Sequence, residues 1–411
     1  MSKSNSPLAR PLTLPNGALL PNRLVKSAMS EGMATMDNRV TPALVRLYER
    51  WARGGTGLLI TGNVMIDRRA LGEPGNVALE DDRDMPLLRQ WAEAATGNGA
   101  AIWMQLNHPG RQSPKGLNRE NVAPSAVPFG KDLQAMFAPP RALRGDEIED
   151  IIRRFATGAQ LCREAGFTGV QIHGAHGYLV SQFLSPLTNQ RTDQWGGNAE
   201  NRRRFVLRVL AAMRERVGSD FPIGIKLNSA DFQRGGFEES ESLDVIAALA
   251  DAGIDLIEIS GGTYEAPAMA GLRASTRARE AYFLSFAEKV RKRVSTPLLV
   301  TGGFRTLPAM REALESGALD LIGLARPLAI EPDASRRLIA GEETRFKVKP
   351  IKTGIGMVDR AGLMEVMWYS RQLKRMGRGE EPRPNESALV SLACNLAGNV
   401  RGTVQTRRLR A

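Results

Sequence analysis

The sequence predicts an α/β protein, a (β/α)8 TIM barrel with a C-terminal helical extension. Short apolar runs rich in β-branched residues recur along the chain, each followed by a polar loop and a segment of helical periodicity. This alternation is typical of parallel strands joined by crossover helices. Eight such runs can be counted, and eight strands close a barrel. The length of 411 residues suits one barrel with insertions and a tail.

The predicted elements follow one another in a regular order. In chain order, the predicted strands are Arg23–Ser27, Gly57–Thr61, Ala100–Gln105, Gly169–His173, Pro222–Asn228, Leu256–Ser260, Pro297–Thr301 and Leu321–Leu324. The predicted helices are Glu147–Ala165, Ala199–Val217, Ser242–Ala252, Tyr282–Val294 and Leu307–Ser316, and several end near a glycine, as helices commonly do. The alternation is regular in the second half of the barrel and looser in the first.

Two segments depart from this alternation. Residues 107–144 are rich in Pro, Gly and Ser and separate the third strand from its helix by more than a normal loop, which predicts a lid over the barrel mouth. After Glu331 the pattern stops, and the tail holds one predicted helix around Leu363–Met376. We expect one barrel domain over residues 1–340 and an extension over 341–411 that packs on the barrel or forms a subunit contact.

Charge and composition exclude several classes of function. The net charge is +12, but the basic residues are scattered and aromatic residues do not interleave with them, so we expect no nucleic-acid partner. A basic surface that attracts anionic cofactors explains the charge equally well. No apolar run is long enough to cross a bilayer and the N-terminus lacks a secretory signal, so we expect a cytoplasmic protein without a membrane partner. Cys162 and Cys394 belong to no C-x-x-C pair, so neither a zinc ribbon nor an iron–sulfur cluster is expected.

All three histidines of the chain fall at or just after the end of the third or fourth predicted strand. They are His108, His173 and His176, and Tyr178 follows the last two closely. In such barrels the catalytic groups cluster at the carboxyl ends of the strands. Two imidazoles could grip an oxyanion, and a nearby phenol could protonate a carbon. The pair could also pack structurally or bind a metal, although H-x-x-H alone is a weak signal and no carboxylate or thiolate neighbour completes a zinc site.

Two further polar residues interrupt predicted strands. Gln105 closes the third strand, and its amide could serve the edge of a flat heterocycle such as a flavin. Lys226 lies within the apolar fifth strand, where an ammonium must meet an anion or lose its charge. A reduced flavin would supply that anion, and the alternative is a lysine that reaches the barrel rim.

The last two predicted strands end in loops suited to a phosphate. Thr301 is followed by Gly302, Gly303, Phe304 and Arg305, and the eighth strand leads into Ala325-Arg326-Pro327. Barrels commonly hold a phosphate at these two loops. Glycines let backbone N–H groups approach the phosphate, and Arg326 or Arg305 can pair with it.

These motifs together resemble those of the old yellow enzyme, or NADH:flavin oxidoreductase, family of FMN-dependent ene-reductases. The resemblance covers the chain from about Leu14 to Pro332. Its most specific phrases are GFTGVQIHGAHGYL (166–179), QFLSP (182–186), NQRTD (189–193), GGN (196–198) and ENR (200–202). Supporting matches are PNR (21–23), Gln105 with HPGR (108–111), and the two loops after the last strands.

The resemblance implies an activity and a site. FMN would lie on the barrel mouth, held by Ala28, Met29 and Ser30, by Gly62 or Asn63, by Gln105 and Lys226, and at its phosphate by Gly302, Gly303, Phe304, Ala325 and Arg326. His173 and His176 would bind the substrate oxygen, and Tyr178 would protonate the α-carbon. NADPH or NADH would reduce the flavin, which would pass hydride to the β-carbon of a small electron-poor alkene such as an enone.

Two residues depart from the family pattern, and several questions stay open. Lys226 stands where many members carry arginine, so a bidentate contact is lost, and Ser30 stands where relatives have threonine or cysteine. The alternatives are a metal-dependent TIM-barrel hydrolase or lyase that uses the histidine pair, or a flavin-binding protein without turnover. The physiological substrate, the preference between NADH and NADPH, and a homo-oligomeric state are left open by the sequence.

Overall fold

The computed structural model describes residues 6–266, 280–348, 351–354 and 363–394. Within them, eight parallel strands close a barrel in which each strand pairs with the next along the chain and the last pairs with the first. The strands are β1 Leu24–Lys26, β2 Leu58–Met65, β3 Ala101–Asn107, β4 Gly169–Gly174, β5 Ile223–Asn228, β6 Leu256–Ser260, β7 Leu298–Thr301 and β8 Leu321–Leu324. Each overlaps a predicted strand, and the predicted (β/α)8 TIM barrel is confirmed.

Helices surround the barrel in the described ranges. They are α1 Pro42–Arg53, α2 Met85–Thr96, α3 Gly145–Glu164, α4 Leu179–Leu184, α5 Ala199–Val217, α6 Glu239–Asp251, α7 Leu284–Arg291, α8 Leu307–Glu315, α9 Arg326–Ile330, α10 Ala334–Ile339 and α11 Leu363–Gly377. Five helices predicted between strands and the one predicted in the tail are present, with ends that differ by up to three residues. Helix α6 begins earlier than predicted because Glu239 and Glu241 occupy its first turn, where acidic residues favour a helix.

Helices α1 and α2 lie in the part of the sequence where the alternation was hard to recognise. Each has a proline in its first turn, where a missing N–H costs nothing. Each also buries a tryptophan, Trp51 and Trp91, which pack at right-angled contacts around Tyr48. Aromatic packing therefore joins α1 to α2 in the first half of the barrel.

Trp103 is the largest side chain of the apolar cluster inside the barrel. Trp103 of β3 points inward, and a Cβ at Gly169 of β4 or Gly224 of β5 would meet its ring at 2.5 or 2.6 Å. These two glycines are therefore required for the close approach of the indole. A filled interior leaves the carboxyl ends of the strands as the place where a ligand can enter.

The predicted lid and the described part of the tail both contact the barrel. In the lid, Val122–Ala123 pairs in parallel with Arg141–Ala142. Helix α11 packs on α1, and Arg46 donates to the carbonyl of Gly377 at 2.8 Å. The tail from residue 395 onward lies outside the described residues, and the division into a barrel and an extension stays a prediction. None of the described helices combines the length and apolarity needed to span a membrane.

Candidate active site

Strand register brings the polar residues of the barrel mouth to one height. Asn63 lies beside Gln105, which lies beside Gln171, and His173 lies beside Lys226, which lies beside Glu258. Since all these strands are parallel, their side chains gather at the carboxyl end. The predicted residues Asn63, Gln105, His173 and Lys226 are thus brought together on four neighbouring strands.

A continuous hydrogen-bonded network crosses the barrel at this height. The Nε2 of Gln105 donates to Oε1 of Gln171 at 2.7 Å, and Nε2 of Gln171 donates to Oε2 of Glu258 at 2.8 Å. The other carboxylate oxygen of Glu258 accepts from Oγ1 of Thr301 at 2.6 Å and lies 3.0 Å from Nζ of Lys226. All polar groups of the Glu258 carboxylate are therefore partnered, as a fully buried charge requires.

The Lys226–Glu258 pair corrects one interpretation. From the sequence, the anion opposite Lys226 is a reduced flavin, or else the lysine reaches the rim. The rim alternative is wrong, because Lys226 is buried. The carboxylate of Glu258 already supplies an anion within the chain, and contact between Lys226 and a flavin stays a prediction. A heterocycle bound next to Lys226 would meet an ammonium that already forms an ion pair with Glu258.

His173 is held as a neutral imidazole. Burial lowers the pKa of His173 well below its usual value, and the positive charge of Lys226 lowers it further. Its Nδ1 accepts the backbone N–H of Ala175 at 3.4 Å, so the proton of the neutral ring lies on Nε2. The Nε2–H is therefore available to donate to a ligand oxygen.

His176 is positioned by an unusual backbone conformation. Its φ angle is +62°, in the left-handed region that is uncommon for residues other than glycine. The backbone N–H of His176 donates to Oδ1 of Asn228 at 3.2 Å, and its Nε2 lies 2.7 Å from Oγ of Ser260. The pair of histidines was expected to bind one oxygen together, but Nε2 of His176 is engaged by Ser260, so only Nδ1 of that ring is left for a ligand.

Tyr178 carries a phenol that stays protonated. Its ring centroid lies 4.7 Å from that of His173 at an interplanar angle of 65°. Burial raises the pKa of Tyr178 well above its usual value, with a further contribution from the neighbouring Tyr264. The hydroxyl lies 3.1 Å from that of Tyr264. A neutral phenol beside a neutral imidazole donor can act as an acid toward a bound molecule.

A bulge in β2 shapes the opposite wall of the site. Between Ile60 and Asn63 the register with β3 shifts, so Gly62 is left unpaired by the ladder and its N–H donates to Oε1 of Glu31 at 2.8 Å. A Cβ at Gly62 would collide with the carboxylate of Glu31 and the carbonyl of Met29. The Oγ of Ser30 donates to Oδ1 of Asn63 at 3.1 Å. The predicted residues Met29, Ser30, Gly62 and Asn63 therefore form one contiguous wall.

Ala28 and a buried lysine complete that wall. Ala28 packs against the apolar interior of the barrel. The Nζ of Lys26 donates to the hydroxyl of Tyr48 at 2.9 Å and to the carbonyl of Ile60 at 2.7 Å, and the Tyr48 hydroxyl donates to Glu31 at 2.5 Å. Burial lowers the pKa of Lys26 to about 8. This network fixes the segment that follows β1 against the bulge of β2.

The two loops after β7 and β8 have the features that a phosphate needs. Gly302 and Gly303 have φ angles of +124° and +91°, and a Cβ at Gly303 would meet the ring of Tyr282 at 2.5 Å. Among the described residues, the N–H groups of Gly303 and Phe304 donate to no partner. Arg326, which follows Ala325 at the end of β8, pairs with Glu365 of α11 at 2.8 Å.

These donors fit a flat heterocycle with a phosphate tail. The mouth offers amides (Asn63, Gln105) and an ammonium (Lys226) at one edge and free backbone N–H groups at the other. The side-chain amide of Asn107, two residues beyond Gln105 on the same inward face of β3, is buried and neither of its polar atoms has a hydrogen-bond partner. A buried amide without a partner in the chain leaves two donors and an acceptor for a bound water or ligand.

A metal site is not supported by the described part of the chain. There, no group of three or more His, Cys, Asp or Glu side chains lies close enough to hold a metal ion. The neighbours of His173 and His176 are Lys226, Ser260 and Tyr178, which are not a zinc ligand set.

Three residues of the site were missed from the sequence. Gln171 and Glu258 are polar residues within apolar strands, the same signal that identified Lys226. Tyr264 lies in the loop after β6, where no motif marked it. The first two could have been found by asking which inward positions of every strand are polar.

Comparisons with known proteins identify relatives of this chain. The family model described as "NADH:flavin oxidoreductase / NADH oxidase family" matches residues 7–345. The NADH-dependent flavin oxidoreductase iliE of Neonectria sp. (strain DH2) is 39% identical over 89% of this chain, and that of Talaromyces variabilis, iccE, is 38% identical over 82%. The chain spans about half of the Neonectria protein (51%) and 87% of the Talaromyces protein. The old yellow enzyme homologue from Zymomonas mobilis superposes with a TM-score of 0.70 at 26% identity, over 83% of this chain and 94% of that one.

Proposed function

The chain belongs to the NADH:flavin oxidoreductase / NADH oxidase family, and from that premise we propose that it uses FMN and NADH or NADPH to reduce activated C=C bonds. The substrates would be small electron-poor alkenes, of which enones are the simplest. The relatives named above are described as NADH-dependent flavin oxidoreductases, which supports the choice of cofactors.

The observation that carries the proposal is the pairing of a neutral imidazole donor with a protonated phenol at the barrel mouth. His173 presents Nε2–H, and Tyr178 lies 4.7 Å away between ring centroids. An alkene conjugated to a carbonyl needs a donor at the oxygen and an acid at the α-carbon. His173 would hold the carbonyl oxygen by a hydrogen bond, and Tyr178 would give its proton to the carbon.

The remaining residues would hold and orient FMN. Ala28, Met29 and Ser30 would line one side of the heterocycle, and Asn63, Gln105 and Lys226 its polar edge, with Gly62 giving close backbone approach. Gly302, Gly303, Phe304, Ala325 and Arg326 would hold the phosphate. When bound, FMN would supply the hydride chemistry that links the nicotinamide to the alkene.

Exclusion of water is the other contribution of the fold. His173 and Tyr178 are both buried, so a carbonyl that reaches them leaves bulk solvent. The segment 107–144, which we propose as the lid, carries Arg111 and Phe129, which line a pocket together with Gly177, the residue before Tyr178. A hydrogen bond from Nε2–H to a carbonyl oxygen is stronger in such surroundings than in water.

The two half-reactions of the full-length protein test this proposal. The protein should bind FMN and turn yellow, lose the colour with NADH or NADPH, and regain it with a cyclic enone. Tyr178→Phe should slow the enone step by roughly 10²- to 10⁴-fold, the usual contribution of a positioned acid, and leave the nicotinamide step unchanged. A colourless protein that takes up no FMN would overturn the proposal.

The same experiment separates the alternatives. Bound FMN without any nicotinamide oxidation would indicate a flavin-binding protein without turnover. Equal slowing of both half-reactions in Tyr178→Phe would show that the phenol is not the acid.

A further inference from the structure

The acid of the proposed reaction is buried, which raises the question of how it regains its proton. Tyr178 has only 8% of its surface exposed, yet each turnover would leave it without a proton. Burial disfavours the phenolate, since the pKa of Tyr178 is raised well above its usual value. The inference that follows rests on the proposed function of Tyr178.

A second tyrosine lies next to Tyr178. The hydroxyl of Tyr264 lies 3.1 Å from that of Tyr178, which is hydrogen-bond distance for two hydroxyl groups. Tyr264 has 38% of its surface exposed and lies in the loop after β6. Tyr178 is therefore one hydrogen bond away from a second phenol that belongs to a partly exposed residue.

The loop that carries Tyr264 is tied to the lid segment. The carboxylate of Glu265 accepts from Nη2 of Arg111 at 2.7 Å and from the N–H of Gly130 at 3.1 Å. Arg111 stacks on the ring of Phe129 at 4.1 Å and donates to the carbonyls of Val127 and Pro128 at 3.2 and 2.9 Å. These contacts fix Glu265, the residue after Tyr264, to the lid segment. The loop that carries the Tyr264 hydroxyl is therefore held in place.

We propose that Tyr264 is a proton relay that returns a proton from water to Tyr178 after each reduction. As Tyr178 loses its proton to the substrate carbon, the O–H bond of Tyr264 breaks and its proton passes to the phenolate oxygen of Tyr178. Tyr264 then takes a proton from water. No electrons are exchanged, and the net result is one solvent proton delivered to the product.

A purely structural role for Tyr264 gives a different expectation. Its ring lies 6.3 Å from that of Phe137 and 6.2 Å from that of Tyr178 between centroids, so it contributes packing as well. Tyr264→Phe keeps this packing and removes only the hydroxyl. Loss of packing alone would leave Tyr264→Phe like the wild type.

The test compares the first turnover with the steady state in the FMN-loaded full chain. In Tyr264→Phe the first enone reduction, which uses the proton already on Tyr178, should stay within about twofold of the wild type. Steady-state reduction should fall by about tenfold or more, most strongly at alkaline pH, and should recover as the concentration of a small protonated buffer such as imidazole is raised. Tyr264→His, which keeps a proton carrier, should recover part of the rate.

The outcomes separate the relay from the function on which it rests. Equal steady-state rates of Tyr264→Phe and the wild type at every pH overturn the relay while Tyr178→Phe stays slow. Equal slowing of the first turnover and the steady state also overturns it, because Tyr264 would then only position Tyr178. A first turnover of Tyr178→Phe as fast as that of the wild type overturns the assigned role of Tyr178 itself.

Discussion

Replacement of Lys226 by methionine tests whether the barrel mouth depends on a buried ion pair. Lys226 and Glu258 lie 3.0 Å apart, and both are buried. Methionine removes the charge but keeps an unbranched chain of similar length. Glu258 would keep its hydrogen bonds from Gln171 and Thr301, yet its negative charge would have no cation opposite it.

The expected cost follows from the distance and the burial. At 3.0 Å two unit charges attract by about 5 kcal/mol at an effective dielectric constant of about 20. Much of that attraction offsets desolvation, but removal of one partner leaves the other charge uncompensated, which costs about 3–5 kcal/mol. Lys226→Met should therefore lower the free energy of unfolding by about that amount. The double variant Lys226→Met/Glu258→Gln should regain at least half of the loss.

Urea unfolding of the protein without FMN measures this cost. The matched control is Lys289→Met, whose partner Glu239 lies 2.6 Å away at the surface, with the lysine 55% exposed. A surface pair is worth about 0–1 kcal/mol. A loss in Lys226→Met no larger than in Lys289→Met would refute the view that the buried pair supports the barrel mouth.

Three other predictions follow from the same contacts. Burial lowers the pKa of His108 from 6.5 to about 4, so the unfolded chain binds the proton first and stability falls as pH drops from 6.5 toward 4, by about 3 kcal/mol from this residue. His108→Gln should flatten that pH dependence in urea unfolding, and an unchanged slope would contradict the assignment. Because burial lowers the pKa of His173 well below 6.5, its imidazole stays neutral between pH 6 and 8. The dissociation constant of an enone analogue, measured by flavin absorbance, should therefore be constant over that range. A change of the dissociation constant within it would indicate that the imidazole titrates there. Gly303→Ala should weaken FMN binding and lower stability, because a Cβ there would meet the Tyr282 ring at 2.5 Å. The control is Gly317→Ala, where φ is also positive (+73°) but no atom lies within 4 Å of the added Cβ, so only the backbone is strained. Equal losses of stability in the two variants would argue against the close contact.

Much of the fold follows from local sequence patterns. The eight strands could be recognised because each is an apolar run bounded by turn residues, and the ladder pairs them in the expected order. Helices α1 and α2 were harder to recognise because long loops separate them from the neighbouring strands. The contact between Trp51, Trp91 and Tyr48 that holds these helices depends on residues far apart in sequence.

The site was predictable where motifs exist and unpredictable where partners are remote. His173, His176 and Tyr178 lie in one short phrase, so their proximity could be read from the sequence. Glu258 faces Lys226 only because β5 and β6 pair in one particular register, and a sequence carries no direct record of that register. Tyr264 meets Tyr178 across 86 residues of sequence. Interactions of this kind are visible only in the folded chain.

The most direct test of the central claim is the position of solvent deuterium in the product of enone reduction. The FMN-loaded protein would reduce a cyclic enone with unlabelled NADH in deuterated water, and nuclear magnetic resonance would locate the label. If hydride comes from the nicotinamide by way of the cofactor and the proton from Tyr178, the saturated ketone carries one deuterium at the α-carbon and none at the β-carbon. A saturated ketone without deuterium at the α-carbon, or the absence of any saturated ketone, would contradict the proposed activity.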